Sequence, residues 1–178
     1  MVLLQKYDLY DVLQTHVTED GVYIQWNGVQ LKASIGKNGT ILADDKVEGD
    51  LKTPKGRYCV THGFYRPDKI KCPKSVIPFT PIEPHFGWCD ASSHPFYNQK
   101  ILKPFDASHE DLWRDDDVYD LILVTDHNTN PIVPGKGSAV FIHIARNNFE
   151  PTAGCLALLV QDLLMIVESC EAGLAWVV

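Results

Sequence analysis

The chain has 178 residues, 45% hydrophobic and 22% charged, an ordinary globular balance that excludes disorder, collagen and coiled coil. At roughly 150 residues per domain, this length predicts a single domain over residues 1–178. Sixteen basic against 23 acidic side chains give a net charge of -7, which argues against nucleic acid as a partner because a phosphate backbone selects cations.

No apolar run approaches the roughly 18 residues of a membrane span: Leu156–Val160 and Leu163–Val167 are interrupted by Gln161 and Asp162. The start, Met1 to Asp8, lacks the basic and apolar regions of a secretory leader, so a cytoplasmic location is expected. A periplasmic or envelope location is the alternative for a chain whose leader has been removed. Five cysteines, an odd number without tight spacing, cannot complete a disulfide framework.

In chain order, Val22–Trp26 and Val29–Ile35 alternate polar and apolar residues around Asn27-Gly28, which predicts an antiparallel hairpin. Thr40–Leu42 and Arg57–Phe64 read as further strand. Pro67 to Pro104 holds seven of the 11 prolines together with Trp88, Phe96 and Tyr97, too many aromatics for a slack linker. An ordered insertion at about residues 65–117 is therefore expected. Ser108–Trp113 has a capping serine and an acid three residues on, which predicts a short helix. Val118–Thr125 and Ser138–Ala145 are strand candidates for the centre of the sheet. Val160, Leu163, Leu164 and Val167 recur at helical spacing, predicting an amphipathic helix over Leu159–Ser169 with Gly173 suited to stopping it, then a final strand over Leu174–Val178. The fold class is mostly β (α+β), with one long helix in the C-terminal region.

Chemistry is concentrated in two places. Alternation along Ser138–Ala145 sets His143 and Phe141 on one face and Val140, Ile142 and Ile144 on the other. Twelve residues later Cys155 follows a turn at Thr152-Ala153-Gly154, and the intervening loop is long enough to return the thiol beside the imidazole. An imidazole acting as base or cation raises the thiolate fraction, so Cys155 and His143 are candidate nucleophile and base. Successive amides at Gly154 and Cys155 are the candidate oxyanion donors. The alternative is a buried core cysteine, since free cysteine is among the most buried residue types. The pairs Cys59/His62 and His85/Cys89 have nominal zinc spacing but no recognised knuckle, so no metal is assigned. Thiol chemistry needs no organic cofactor.

The strand histidine followed by Thr152-Ala153-Gly154-Cys155-Leu156 resembles the motif of the L,D-transpeptidases with the YkuD-type catalytic domain. Gly49, then Thr53-Pro54-Lys55-Gly56-Arg57-Tyr58, resembles a second motif of that family. The resemblance covers about Val22 to Val167, with Gly87 to His127 as a family-specific insertion around the site. It implies a YkuD-like β-sandwich or mixed sheet. It also implies a peptidoglycan stem peptide or muropeptide as substrate, attacked at the bond between the L-centre of a diamino acid and D-alanine through a Cys155 thioester.

Ala153 and Ala157 depart from the family's usual residues, so the carboxylate-binding residue does not carry over. Arg146 and Arg66 are the candidates for that task, alongside a surface or structural role. Thr152, His127, Trp88, Tyr97 and Trp113 complete the substrate-binding candidates. With no leader, the resemblance favours an L,D-carboxypeptidase that removes D-alanine from tetrapeptides in muropeptide recycling. The alternatives are an L,D-transpeptidase forming cross-links and a non-catalytic peptide-binding module.

Overall fold

The computed structural model describes residues 10–178; the N-terminal segment read for a leader, Met1 to Asp8, lies outside them. The chain runs through β1 (Asp11–Thr18), β2 (Gly21–Trp26), β3 (Val29–Ser34), β4 (Thr40–Leu42), β5 (Thr53–Lys55), β6 (Arg57–Tyr65) and β7 (Phe79–Pro81). It continues through β8 (Phe86–Cys89), β9 (Lys100–Leu102), β10 (His109–Asp111), β11 (Leu121–Thr125), β12 (Phe141–Ile144), β13 (Leu156–Leu158), α1 (Val160–Ser169) and β14 (Leu174–Val177). The fold is mostly β with one helix and a mixed sheet.

The hairpin β2–β3 forms with Trp26 opposite Val29, and Asn27 and Gly28 both take the positive φ that a two-residue turn of this hand requires. The main sheet has the order β11-β12-β13-β3-β2-β1-β14-β6-β7, and β11 also pairs with β6, so the sheet curls back on itself. The pairings β1–β14, β12–β13 and β6–β7 are parallel.

Two apolar layers follow from the two faces of this sheet. One is enclosed with α1 and gathers Leu13, Ile24, Ile142, Leu163, Val167 and Trp176. The other lies between the opposite face and segment 82–119, where Ile122 and Phe141 meet Phe86, Trp88, Leu112 and Tyr119. Strands β11 and β12 are therefore buried on both faces. The alternation expected along the His143 strand holds: Val140, Ile142 and Ile144 join the first layer and Phe141 the second.

Segment 65–117 contributes β7 to the sheet edge and a separate three-stranded sheet, β10-β8-β9. The helix expected at Ser108–Trp113 is not formed. Residues 109–111 are β10, paired with β8 so that Glu110 stands opposite Trp88. A weak local capping signal yields there to the backbone ladder offered by β8. Strand Val118–Thr125 is shorter than expected, since Asp117–Tyr119 is a 3-10 turn. Strand Ser138–Ala145 is also shorter, starting only after Ala139, whose φ is +50°. The helix ends at Ser169 through an extended Cys170 and not at Gly173, which instead turns the chain into β14.

Candidate active site

The parallel pairing of β12 with β13 sets Ile142 opposite Leu156, which brings the residue before β13, Cys155, alongside the start of β12. Cys155, His143, Gly154, Thr152 and Arg146 line one cavity of about 340 Å³. Cys155 is 8% and His143 6% exposed, so both side chains are nearly closed off from bulk water.

The thiol donates to the Ala139 carbonyl oxygen at 3.1 Å and accepts from the Phe141 amide at 3.4 Å. His143 Nδ1 lies 2.9 Å from the Ile144 carbonyl oxygen. A carbonyl only accepts, so Nδ1 carries the proton and Nε2 is the basic nitrogen. Tyr119 packs edge-on against the imidazole, with ring centroids 5.5 Å apart.

Burial favours the neutral form of both groups, which suits the imidazole as base more than as cation. Burial and the Glu110 charge push the Cys155 thiol up to about 12. Burial, with Arg146 and Arg114 adding repulsion, lowers the His143 imidazole to about 4. Two charges in an enclosed pocket lose hydration that their mutual attraction does not replace without further hydrogen bonds.

The turn around Cys155 is held from both sides. Thr152 Oγ1 donates to the Cys155 carbonyl oxygen at 2.7 Å and accepts from the Gly154 amide at 3.1 Å. Thr53, fully buried at the start of β5, donates through Oγ1 to the Gly154 carbonyl oxygen at 2.9 Å and accepts from the Gly36 amide at 2.9 Å. Gly154 has φ +142°, and a Cβ there would stand 2.9 Å from the Lys52 carbonyl oxygen, so only glycine fits.

The remaining sequence candidates are placed elsewhere. Arg66 is buried outside the cavity lining. Its guanidinium donates to both Asp68 oxygens and to the Arg114 carbonyl oxygen and stacks on Trp113, because a buried cation must be paired. Trp113 is committed to that stack. His127 packs edge-on against Tyr58, with Nε2 bonded to the Lys136 carbonyl oxygen, in a second groove.

Trp88 lies behind the site, 4.9 Å from the Phe141 ring, and its indole N–H donates to Asn98 Oδ1 at 3.0 Å. The same oxygen accepts from the Ala139 amide at 3.0 Å, so Trp88 and His127, whose carbonyl oxygen accepts from Asn98 Nδ2, are linked to Cys155 through Asn98 and Ala139. Tyr97 is buried and donates to Glu48, which does line the cavity.

Lys46, Glu110, Arg114 and Tyr119 line the cavity without having been singled out by sequence. Lys46 and Arg114 lie outside every expected element, whereas Glu110 and Tyr119 lie where a helix and a strand were expected and a short strand and a 3-10 turn form. Tyr119 donates to Glu110, Arg114 forms a bidentate pair with Asp116 at 2.7 and 2.8 Å, and Arg146 reaches the same carboxylate at 3.3 Å.

A cysteine and a strand histidine facing one cavity are the residue types that cysteine acyl transfer employs. A family model, L,D-transpeptidase catalytic domain (YkuD), matches residues 11–178, and the chain belongs to that family. The family is enzymatic, with cysteine acyltransferase activity on peptidoglycan peptides. Comparison with curated proteins and with solved structures found no match.

Proposed function

We propose that the protein is a cysteine L,D-carboxypeptidase that releases D-alanine from muropeptide tetrapeptides, with Cys155 as nucleophile and His143 as its proton acceptor. The observation that carries this reading is the convergence of Cys155 and His143 on one cavity, with Nδ1 tied to Ile144 and Nε2 left basic. Substrate binding displaces the thiol from Ala139. Sγ then bonds to the carbonyl carbon of the L-centre while its proton passes to Nε2. The tetrahedral oxyanion collapses, the D-alanine amine leaves with that proton, and a thioester remains on Cys155. Water then attacks the thioester while His143 takes its proton, the C–S bond breaks, the proton passes from His143 back to the Cys155 sulfur, and the tripeptide departs with a free carboxylate.

Two features support water as the acceptor. The cavity of about 340 Å³ suits one peptide end, and the thiol lies at its base, where a second stem would have to enter beside the first. Arg146, on the rim with Arg114, is proposed to receive the D-alanine carboxylate in place of a residue at Ala157. Soluble muropeptide substrates agree with a cytoplasmic site of action, and cell fractionation tests that placement.

Incubation of purified protein with a disaccharide tetrapeptide, followed by mass spectrometry, tests the reading. A tripeptide product with free D-alanine is expected, and Cys155→Ala removes it. Cross-linked dimers without tripeptide would replace hydrolysis by transpeptidation. Turnover retained in Cys155→Ala would overturn the nucleophile.

A further inference from the structure

Acyl transfer places a full negative charge on the former carbonyl oxygen, and one hydrogen-bond donor is poor compensation for it. The two amides expected to supply the donors are not equally available. The Gly154 N–H is already donated to Thr152 Oγ1 at 3.1 Å, and that hydroxyl is itself locked by donation to the Cys155 carbonyl oxygen at 2.7 Å. In the next peptide, Thr53 fixes the Gly154 carbonyl at 2.9 Å. The Cys155 N–H of that trans peptide therefore points the opposite way, away from Thr53. One backbone donor remains where two are needed.

Lys46 stands beside this peptide. It is only 3% exposed, lines the same cavity, and its Nζ lies 3.8 Å from the point where a Cβ on Gly154 would sit. Asp50 and the Val47 carbonyl oxygen, at 3.3 Å, take two of its three protons. Asp50 is in turn fixed by the Val47 and Lys52 amides at 3.0 and 2.8 Å, so the ammonium is held in place before any substrate arrives. The third proton is left for a ligand.

The other two cavity cations are disposed differently: Arg114 and Arg146 share Asp116 and repel a proton on His143. Lys46 is the cation whose charge favours ionisation of Cys155, against the opposing charge of Glu110.

The geometry points to Lys46 as a catalytic residue: its ammonium donates the second hydrogen bond to the tetrahedral oxyanion, alongside the Cys155 amide. This rests on Cys155 being the nucleophile. As Sγ bonds to the carbonyl carbon, the carbonyl π pair moves onto oxygen and the thiol proton moves to His143 Nε2. Lys46 stays protonated throughout and lends a hydrogen bond that is stronger to the oxyanion than to the ground-state carbonyl. Glycine at 154 keeps the gap between Nζ and the peptide open.

Two thiol reagents separate this role from a mere effect on thiol ionisation. p-Nitrophenyl acetate acylates a cysteine through a tetrahedral oxyanion, whereas iodoacetamide alkylates it by direct displacement with no oxyanion. In Lys46→Met, the ratio of Cys155 acylation rate to Cys155 alkylation rate is expected to fall about 10²-fold. Lys46→Arg, which keeps a donor cation, is expected to restore at least a tenth of the wild-type ratio. Lys46→Leu, which likewise has no donor, substitutes for Lys46→Met if thermal melting shows that the methionine chain does not fold.

A wild-type ratio in the folded Met or Leu variant would overturn the assignment. So would equal losses in both rates, which would leave Lys46 acting on thiol ionisation alone. Wild-type protein that p-nitrophenyl acetate does not label at Cys155 would instead overturn the nucleophile reading beneath it.

Discussion

The Thr53 hydroxyl donates to the Gly154 carbonyl oxygen at 2.9 Å, joining two sequence motifs that lie far apart along the chain. Its oxygen also accepts the Gly36 amide, so one side chain braces the cysteine turn against the loop after β3. Replacement by valine keeps the volume but leaves a buried amide and a buried carbonyl unpaired. Thr53→Val is expected to lower stability by about 2–4 kcal/mol and to cut turnover, while Thr53→Ser retains most of both. Denaturant unfolding together with steady-state kinetics measures the two effects. Wild-type turnover in a folded Thr53→Val chain would show that the brace does not position the site.

Gly154 tolerates no side chain. Alanine at φ +142° would be strained, and its Cβ would meet the Lys52 carbonyl at 2.9 Å. Gly154→Ala is expected to lose at least about 2 kcal/mol of stability and most activity, because relief of the clash moves the peptide that carries the Cys155 N–H. A crystal structure of the variant with this peptide unmoved would contradict that account.

Asn98 connects the aromatic layer to the nucleophile. Its Oδ1 accepts from Trp88 and from the Ala139 amide, and its Nδ2 donates to the His127 and Asn128 carbonyl oxygens. Ala139 in turn receives the Cys155 thiol. Asn98→Leu leaves buried partners unsatisfied, with an expected loss of about 3 kcal/mol. It also frees Ala139 to shift, which a changed rate of Cys155 alkylation would report. Stability within about 0.5 kcal/mol of wild type would rule this network out as a structural element.

The site predicts a pH window for stability. His143 gains its proton near 6.5 when unfolded and only near 4 in the fold, so the unfolded state binds the extra proton between those values. Stability is therefore lost as pH falls from 6.5 towards 4, on the order of 3 kcal/mol. Cys155 acts at the other end: its thiol ionises near 9.0 when unfolded and near 12 when folded, so stability is lost as pH rises through that range. Denaturant unfolding across pH should show a plateau between these limbs. His143→Gln makes the acid limb shallower, a limb to which the burial-depressed His62 and His127 also contribute. Cys155→Ala does the same to the alkaline limb, which Cys59 and Cys170 share. An acid limb unchanged in His143→Gln would refute the buried neutral imidazole.

Arg146 is half exposed on the cavity rim and shares Asp116 with Arg114. If it receives the substrate carboxylate, Arg146→Gln raises KM about tenfold with kcat nearly unchanged, since the contact is equal in ground and transition states. A fall in kcat at unchanged KM would move Arg146 from binding to chemistry.

The sequence by itself determined the parts that depend on local pattern. The Asn27-Gly28 hairpin, the helix beginning at Val160 and the alternation that turns His143 away from Ile142 and Ile144 all follow from side-chain period and turn chemistry. That Cys155 and His143 face one cavity was legible from the alternation along the histidine strand and the length of the loop that follows it.

Tertiary structure decided what no local period encodes. Residues 109–111, within the expected helix, became strand because β8 offered a ladder, and that pairing placed Glu110 in the cavity wall. Arg66 and His127 went to structural pairings, while Lys46 and Arg114, unremarkable in sequence, came to face the site. The ionisation of the central pair was also decided there. Whether an imidazole and a thiol exchange a proton depends on how much water each loses and which charges stand nearby, and those quantities exist only once the chain has folded around them.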